Sequence, residues 1–180
     1  MTINKEELKR LLEEKNFDCV FVETGTYKGA TVDTVLEMGI KDVRTIEGSP
    51  SYFAYCRDKY NTEKNVQLHY GSSRFILFDV CKDIDKDIVF WLDAHYSGEV
   101  CMREDGLERP FCPLYEELEQ IKKLNKNTHT IMIDDIRDVR NGYMGVTVDE
   151  ILKRIKDINP DYKIYYVDGH TTDDILIAKI

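Results

Sequence analysis

The sequence predicts a doubly wound α/β fold: a mostly parallel, seven-stranded sheet with helices on both faces and a C-terminal antiparallel hairpin. Three observations carry this reading. Short apolar runs with β-branched and aromatic character alternate with longer amphipathic runs along the chain. The last two apolar runs follow one another with only a turn between them. No Pro/Gly-rich linker, internal repeat or low-complexity tract divides the 180 residues, a length that suits one domain (1–180) around one substantial core.

The elements follow in order. Residues 1–16 form a lead helix, with Leu8, Leu11 and Leu12 at helical spacing and Thr2 or Asn4 as its cap. Strand 18–23 is the run Cys19-Val20-Phe21-Val22, too short for a helix and closed by Glu23. Then come helix 28–38, strand 42–47, helix 50–59, strand 65–69, helix 72–79 and strand 87–93. Residues 94–112 show no convincing periodicity. A loop of more than about 15 residues is uncommon unless functional or disordered, and this one leaves the carboxyl end of a strand, so it is expected to act as a lid or substrate loop. Helix 113–124, strand 128–134 and helix 146–157 lead to strands 162–167 and 174–180, joined at Asp168-Gly169-His170.

Composition narrows the partners. A formal charge of −9 argues against nucleic-acid backbones, whose phosphates require clustered Lys and Arg. Five cysteines without a CxxC pair read as reduced thiols of an intracellular, cytoplasmic protein. No apolar stretch approaches membrane-spanning length, so no membrane partner is expected. The natural partner is a small molecule.

The chemistry-bearing residues sit at strand ends. After the first strand the chain reads Glu23-Thr24-Gly25-Thr26-Tyr27-Lys28-Gly29, a glycine-spaced turn that grips a nucleotide-sized cofactor or simply turns the chain. Its Glu-x-Gly-x-x-x-Gly spacing differs from the Gly-x-Gly-x-x-Gly that admits a pyrophosphate, which places an NAD-dependent oxidoreductase lower. Glu47-Gly48 closes the second strand, about 20 residues on, where a carboxylate accepts from the hydroxyls of a ribose diol. Gly71-Ser72-Ser73 offers small residues where an adenine could lie, although either serine serves equally as a helix cap. The fourth and fifth strands end in Asp93 and in Asp134-Asp135; three converging carboxylates repel unless a cation or proton sits among them, and all-oxygen ligation suits Mg²⁺ or Mn²⁺. His95, two residues beyond Asp93, is the best-placed proton acceptor. A zinc site from His95, Cys101 and Cys112 fits no regular spacing; His69, His129 and His170 read as ordinary.

These residues resemble the class I S-adenosylmethionine-dependent methyltransferases, from Phe17 to Ile180. The resemblance implies a Rossmann-like fold in which Glu23 and the turn hold the cofactor's aminoacyl end, Glu47 the ribose and Gly71 to Ser73 the adenine. Asp93 with Asp134-Asp135 is further similar to the metal-dependent O-methyltransferases of catechols and antibiotic sugars. The catechol type has a lysine shortly after the first Asp; here His95 stands near that place, as in some sugar-modifying relatives. Glu-Thr-Gly-Thr-Tyr with Leu-Asp-Ala-His-Tyr-Ser-Gly also looks like glycan-linked methyltransferases of bacteria and large viruses. The expectation is therefore an S-adenosylmethionine-dependent O-methyltransferase acting on a sugar or glycan, with metal assistance, His95 and Asp93 as catalytic residues, and Tyr96 and Arg137 contacting the acceptor. The domain is expected to belong to a larger multidomain protein or to a homo-oligomer. A metal-dependent hydrolase using the same Asp/His cluster, and a catalytically inactive cofactor-binding protein, are the alternatives.

Overall fold

The computed structural model describes residues 3–95 and 112–180. Within them the chain runs α1 (Lys5–Glu14), β1 (Cys19–Thr24), α2 (Ala30–Glu37), β2 (Val43–Glu47), α3 (Pro50–Lys59), β3 (Val66–Tyr70), α4 (Ser73–Cys81) and β4 (Asp87–Leu92). It continues with α5 (Leu114–Lys122), β5 (Thr130–Ile133), α6 (Ile136–Arg140), α7 (Val148–Ile158), β6 (Lys163–Val167) and β7 (Ile175–Lys179). Most of the 94–112 loop lies outside the described residues, as does Thr2; Asn4 caps α1 by accepting from the Glu7 amide.

One seven-stranded sheet has the order β3-β2-β1-β4-β5-β7-β6. β1 to β5 are mutually parallel, and β7 runs antiparallel between β5 and β6. The expected architecture is therefore present. Strand alternation separates two apolar layers. Val20, Val22, Phe90, Leu92, Ile131 and Ile133 face α4, α5 and α7, whereas Phe21, Val43, Val89, Trp91, Met132 and Ile177 face α1, α2 and α3. Burial on both faces explains why β1, β4 and β5 read as continuous apolar runs.

Two details depart from the sequence reading. The β6–β7 connection spans residues 168–174 rather than a tight turn at 168–170, because the Asp168 carboxylate accepts from the Asp173 amide and that of Asp174 from the His170 amide. α6, five residues long, is an added element, too short to show helical periodicity.

The strand order reverses between β1 and β4, since β1 is followed in sequence by β2 on one side but lies beside β4 on the other. This is the switch point at which doubly wound sheets open a crevice at their carboxyl ends. Gly25 makes the crossing possible. Its φ is +86°, and a Cβ there would lie 2.7 Å from the Asp93 carbonyl oxygen. Gly25→Ala is expected to destabilise the fold by about 2–4 kcal/mol, from left-handed strain plus a backbone clash. Urea denaturation of native and variant protein measures it; a change below about 0.5 kcal/mol would show that the two strand ends are not held at this spacing.

Candidate active site

The turn after β1 is built by hydrogen bonds to β2. Tyr27 and Gly29 take left-handed φ of 51° and 76°, and a bulky residue is uncommon there. What holds Tyr27 is Glu47: its buried carboxylate accepts from the Tyr27 amide at 2.7 Å and from the Ser49 amide at 2.7 Å. The Cys56 thiol donates to the Tyr27 carbonyl from α3. Burial pushes the Glu47 carboxyl upward, with the amides of Ser49, Tyr27 and Gly48 opposing it. Glu47 thus shapes the same turn whose ligand it was expected to share.

Glu23 lies wholly inside, on the face of β1 toward α2. The Thr45 hydroxyl donates to its Oε2 at 2.7 Å, and the Thr26 hydroxyl lies 2.5 Å from that of Thr45, so a chain of hydroxyls joins the turn to the acid. Burial pushes Glu23 up to about 8, against the hydroxyls of Thr45 and Thr31. The next residue, Thr24, serves the other face: its carbonyl and hydroxyl accept from the Asp93 amide. At the end of β3, the Gly71 amide donates to the Glu47 carbonyl, Ser72 takes the N-cap position of α4 without a side-chain capping bond, and Ser73 is buried.

At the ends of β4 and β5 the acids form two overlapping groupings, neither of which holds Asp93, Asp134 and Asp135 together. Among the described residues, ligand-capable atoms of Asp93, His95 and Asp135 lie within 4.8 Å of one another, as do those of Asp134, Asp135 and Asp174. Burial, then the charge of Asp134, holds Asp93 well above the carboxylate range, and burial with Asp135 pushes Asp134 up to about 7. Asp135 is different: burial opposes its ionisation, but His95 and Arg137 together hold it below the usual range. His95 Nε2 stands 2.7 Å from Asp135 Oδ2 and 3.8 Å from Asp93 Oδ1. Asp135 itself takes a left-handed φ of 55° at the N-terminus of α6. Arg137, read from sequence as an acceptor contact, is turned onto Asp135 at 2.7 Å, Asp138 at 3.5 Å and the wholly buried Asp174. Tyr96 and Cys101 lie outside the described residues.

A shallow cleft borders the cluster; Asp93, His95, Asp134 and Glu117 line it with Leu92 and Met144.

Comparison with solved structures now bears on this architecture. An O-methyltransferase from Bacillus cereus in complex with SAH matches at a TM-score of 0.65 with 14% identity, over 98% of this chain and 80% of that one. TomG, an O-methyltransferase from Streptomyces achromogenes solved with SAM, matches at 0.63 with 14% identity, over 100% and 81%. The SAH-bound methyltransferase PaMTH1 of Podospora anserina matches at 0.58 with 13% identity, over 97% and 76%. The chain has the Rossmann-like methyltransferase fold. No family model and no curated protein matches the sequence. At this identity the likeness establishes the fold alone, and among the described residues no helix is long and apolar enough to cross a membrane.

Sequence reasoning missed three members of this methyltransferase-fold site. Thr45 and Asp174 reach their partners across 22 and 37 residues, which no local pattern shows. Glu117 carried a signal: it interrupts the apolar stripe Leu114, Leu118, Ile121 of α5, and it is 1% exposed. Burial pushes it up to about 7, against the hydroxyls of Ser73 and Thr24.

The Glu23 shift has a measurable consequence. A carboxyl near 4.5 in the unfolded chain and about 8 in the folded one binds more protons when folded, so stability falls as pH rises through that window. Glu23→Gln, which still accepts from Thr45, is expected to gain about 4 kcal/mol over native protein at pH 8 and little at pH 4.5. Urea denaturation at both pH values tests this; a native–variant difference independent of pH would sink it.

Proposed function

We propose that this chain transfers a methyl group from S-adenosylmethionine to a hydroxyl of a sugar or glycan, with Mg²⁺ or Mn²⁺ at the acid cluster. The observation that carries the reading is the joining of two systems at one switch point: the Glu47-held turn after β1, and the Asp93, His95, Asp134, Asp135 cluster beyond β4 and β5. The shared fold, seen in O-methyltransferases solved with SAM or SAH, supports it.

The residues suit a divalent ion. Asp93 Oδ2 is buried without a hydrogen-bond partner, and Asp93 and Asp134 are each held in a state that an added positive charge would relieve. The second acid grouping already holds the Arg137 guanidinium through Asp174. Asp93, Asp134 and Asp135 would hold the ion, which when bound supplies Lewis-acid polarisation of the acceptor hydroxyl. The turn from Thr24 to Gly29 and Glu47 position the methyl donor, and Gly71 to Ser73 receive its adenine. In the neutral tautomer whose Nε2–H donates to Asp135, Nδ1 of His95 is the ring nitrogen that would accept a proton. Asp135 then stabilises the imidazolium formed as the acceptor hydroxyl loses its proton. Arg137 fixes Asp135 in turn. The sugar assignment rests on His95 near the place where catechol-type enzymes have a lysine; none occurs between Asp93 and Arg103.

One observation favours a second role for His95: its Nε2 belongs to the Asp93–Asp135 grouping and could ligate the ion instead. Calorimetry separates the two. S-adenosylhomocysteine is expected to bind the native protein, and Asp93→Asn to lower Mg²⁺ affinity by about 10-fold or more. His95→Ala is expected to leave Mg²⁺ affinity unchanged. A comparable loss in His95→Ala would make it a ligand, and absence of S-adenosylhomocysteine binding with and without Mg²⁺ would remove the methyltransferase reading.

A further inference from the structure

We infer that Glu117 is a specificity-determining residue for the methyl donor, accepting a hydrogen bond from the exocyclic amine of its adenine. The inference rests on the proposed function and assigns a donor contact to a residue on α5, outside the strand-end segments that carry the rest of the site.

Glu117 is buried against the hydroxyls of Thr24, at the end of β1, and Ser73, at the start of α4. Those are the two segments between which a donor spanning the turn and the end of β3 would lie. Its Oε1 is buried and has no hydrogen-bond partner, although Glu117 lines the cleft shared by Asp93, Ala94 and His95. A buried unsatisfied acceptor is costly, and a donor supplied by a bound ligand would relieve it.

Anchoring of α5 does not explain it. Gln120 already docks this helix onto α4, its amide donating to the carbonyls of Ser73 at 2.9 Å and Arg74 at 2.8 Å while its Oε1 accepts from the Phe78 amide at 3.0 Å. Arg74 adds an ion pair with Glu116 at 2.9 Å. A leucine at 117 would complete the apolar stripe. Glu117 belongs to neither grouping of metal-capable atoms among the described residues. What remains is a ligand N–H beside Ser73, and adenine presents one.

The test is calorimetric, on the full chain without any acceptor, with S-adenosylhomocysteine and S-inosylhomocysteine, in which a carbonyl replaces the amine. Native protein is expected to prefer the adenine compound by about 10- to 100-fold, since a carbonyl facing a carboxylate loses the bond and adds repulsion. E117Q, whose amide both donates and accepts, is expected to bring the two affinities within about threefold. E117M, which removes the buried acid and should fold at least as stably, is expected to do the same. Equal binding of both compounds by native protein overturns the inference while leaving the methyltransferase reading intact, and so does a preference kept in either variant. Failure of native protein to bind S-adenosylhomocysteine overturns both together.

Discussion

The close approach of β1 and β4 is the constraint on which the rest of the molecule depends. Two parallel strands whose chains leave the sheet in opposite directions open a crevice only if their ends stay side by side. Gly25 permits this by having no Cβ to strike the Asp93 carbonyl, and the Asp93 amide closes the contact by donating to Thr24. The turn and the acid cluster are thereby placed at a fixed separation. Every later element of the site is positioned relative to this crossing.

Strand alternation then distributes the polar groups. Glu23 and Thr24 are adjacent, so one must face each layer. Glu23 enters the α2 side and joins Thr45 and Thr26, while Thr24 enters the α5 side and meets Asp93 and Glu117. The acids that result are poorly solvated: Glu23, Asp93, Glu117 and Asp134 are all displaced upward by burial. A protein selected for stability alone would replace them with apolar residues of similar volume. Their concentration around one crevice argues for ligands that complete their charge or hydrogen bonding.

Most of the fold was legible because its signals are local. Strand-like runs of five to seven residues between amphipathic segments marked the seven strands, and α3 was bounded at Pro50 and Lys59 as the structure has it. Strand-end acids were legible for the same reason, since a carboxylate closing an apolar run stands out. What escaped notice depended on distance or on brevity. α6 has too few residues for a period, and Asp174 gains its role from Arg137 across 37 residues. Arg137 was visible as a residue near the cluster, but its commitment to three carboxylates was not.

Glu47 shows why sequence position and structural role must be separated. Its carboxylate is at once the support of a left-handed Tyr27 and the candidate acceptor for a ribose diol. These roles are compatible because a carboxylate offers about four lone-pair sites and the bonds from Tyr27 and Ser49 engage one on each oxygen. They are also coupled. The amides of Ser49, Tyr27 and Gly48 hold the charge in place against burial, and a diol would add donors to the same two oxygens, so whatever binds Glu47 would also stiffen the turn that Tyr27 shapes. One side chain thus links β2 to the β1 turn, and the close approach of Gly25 links that turn to the backbone of Asp93.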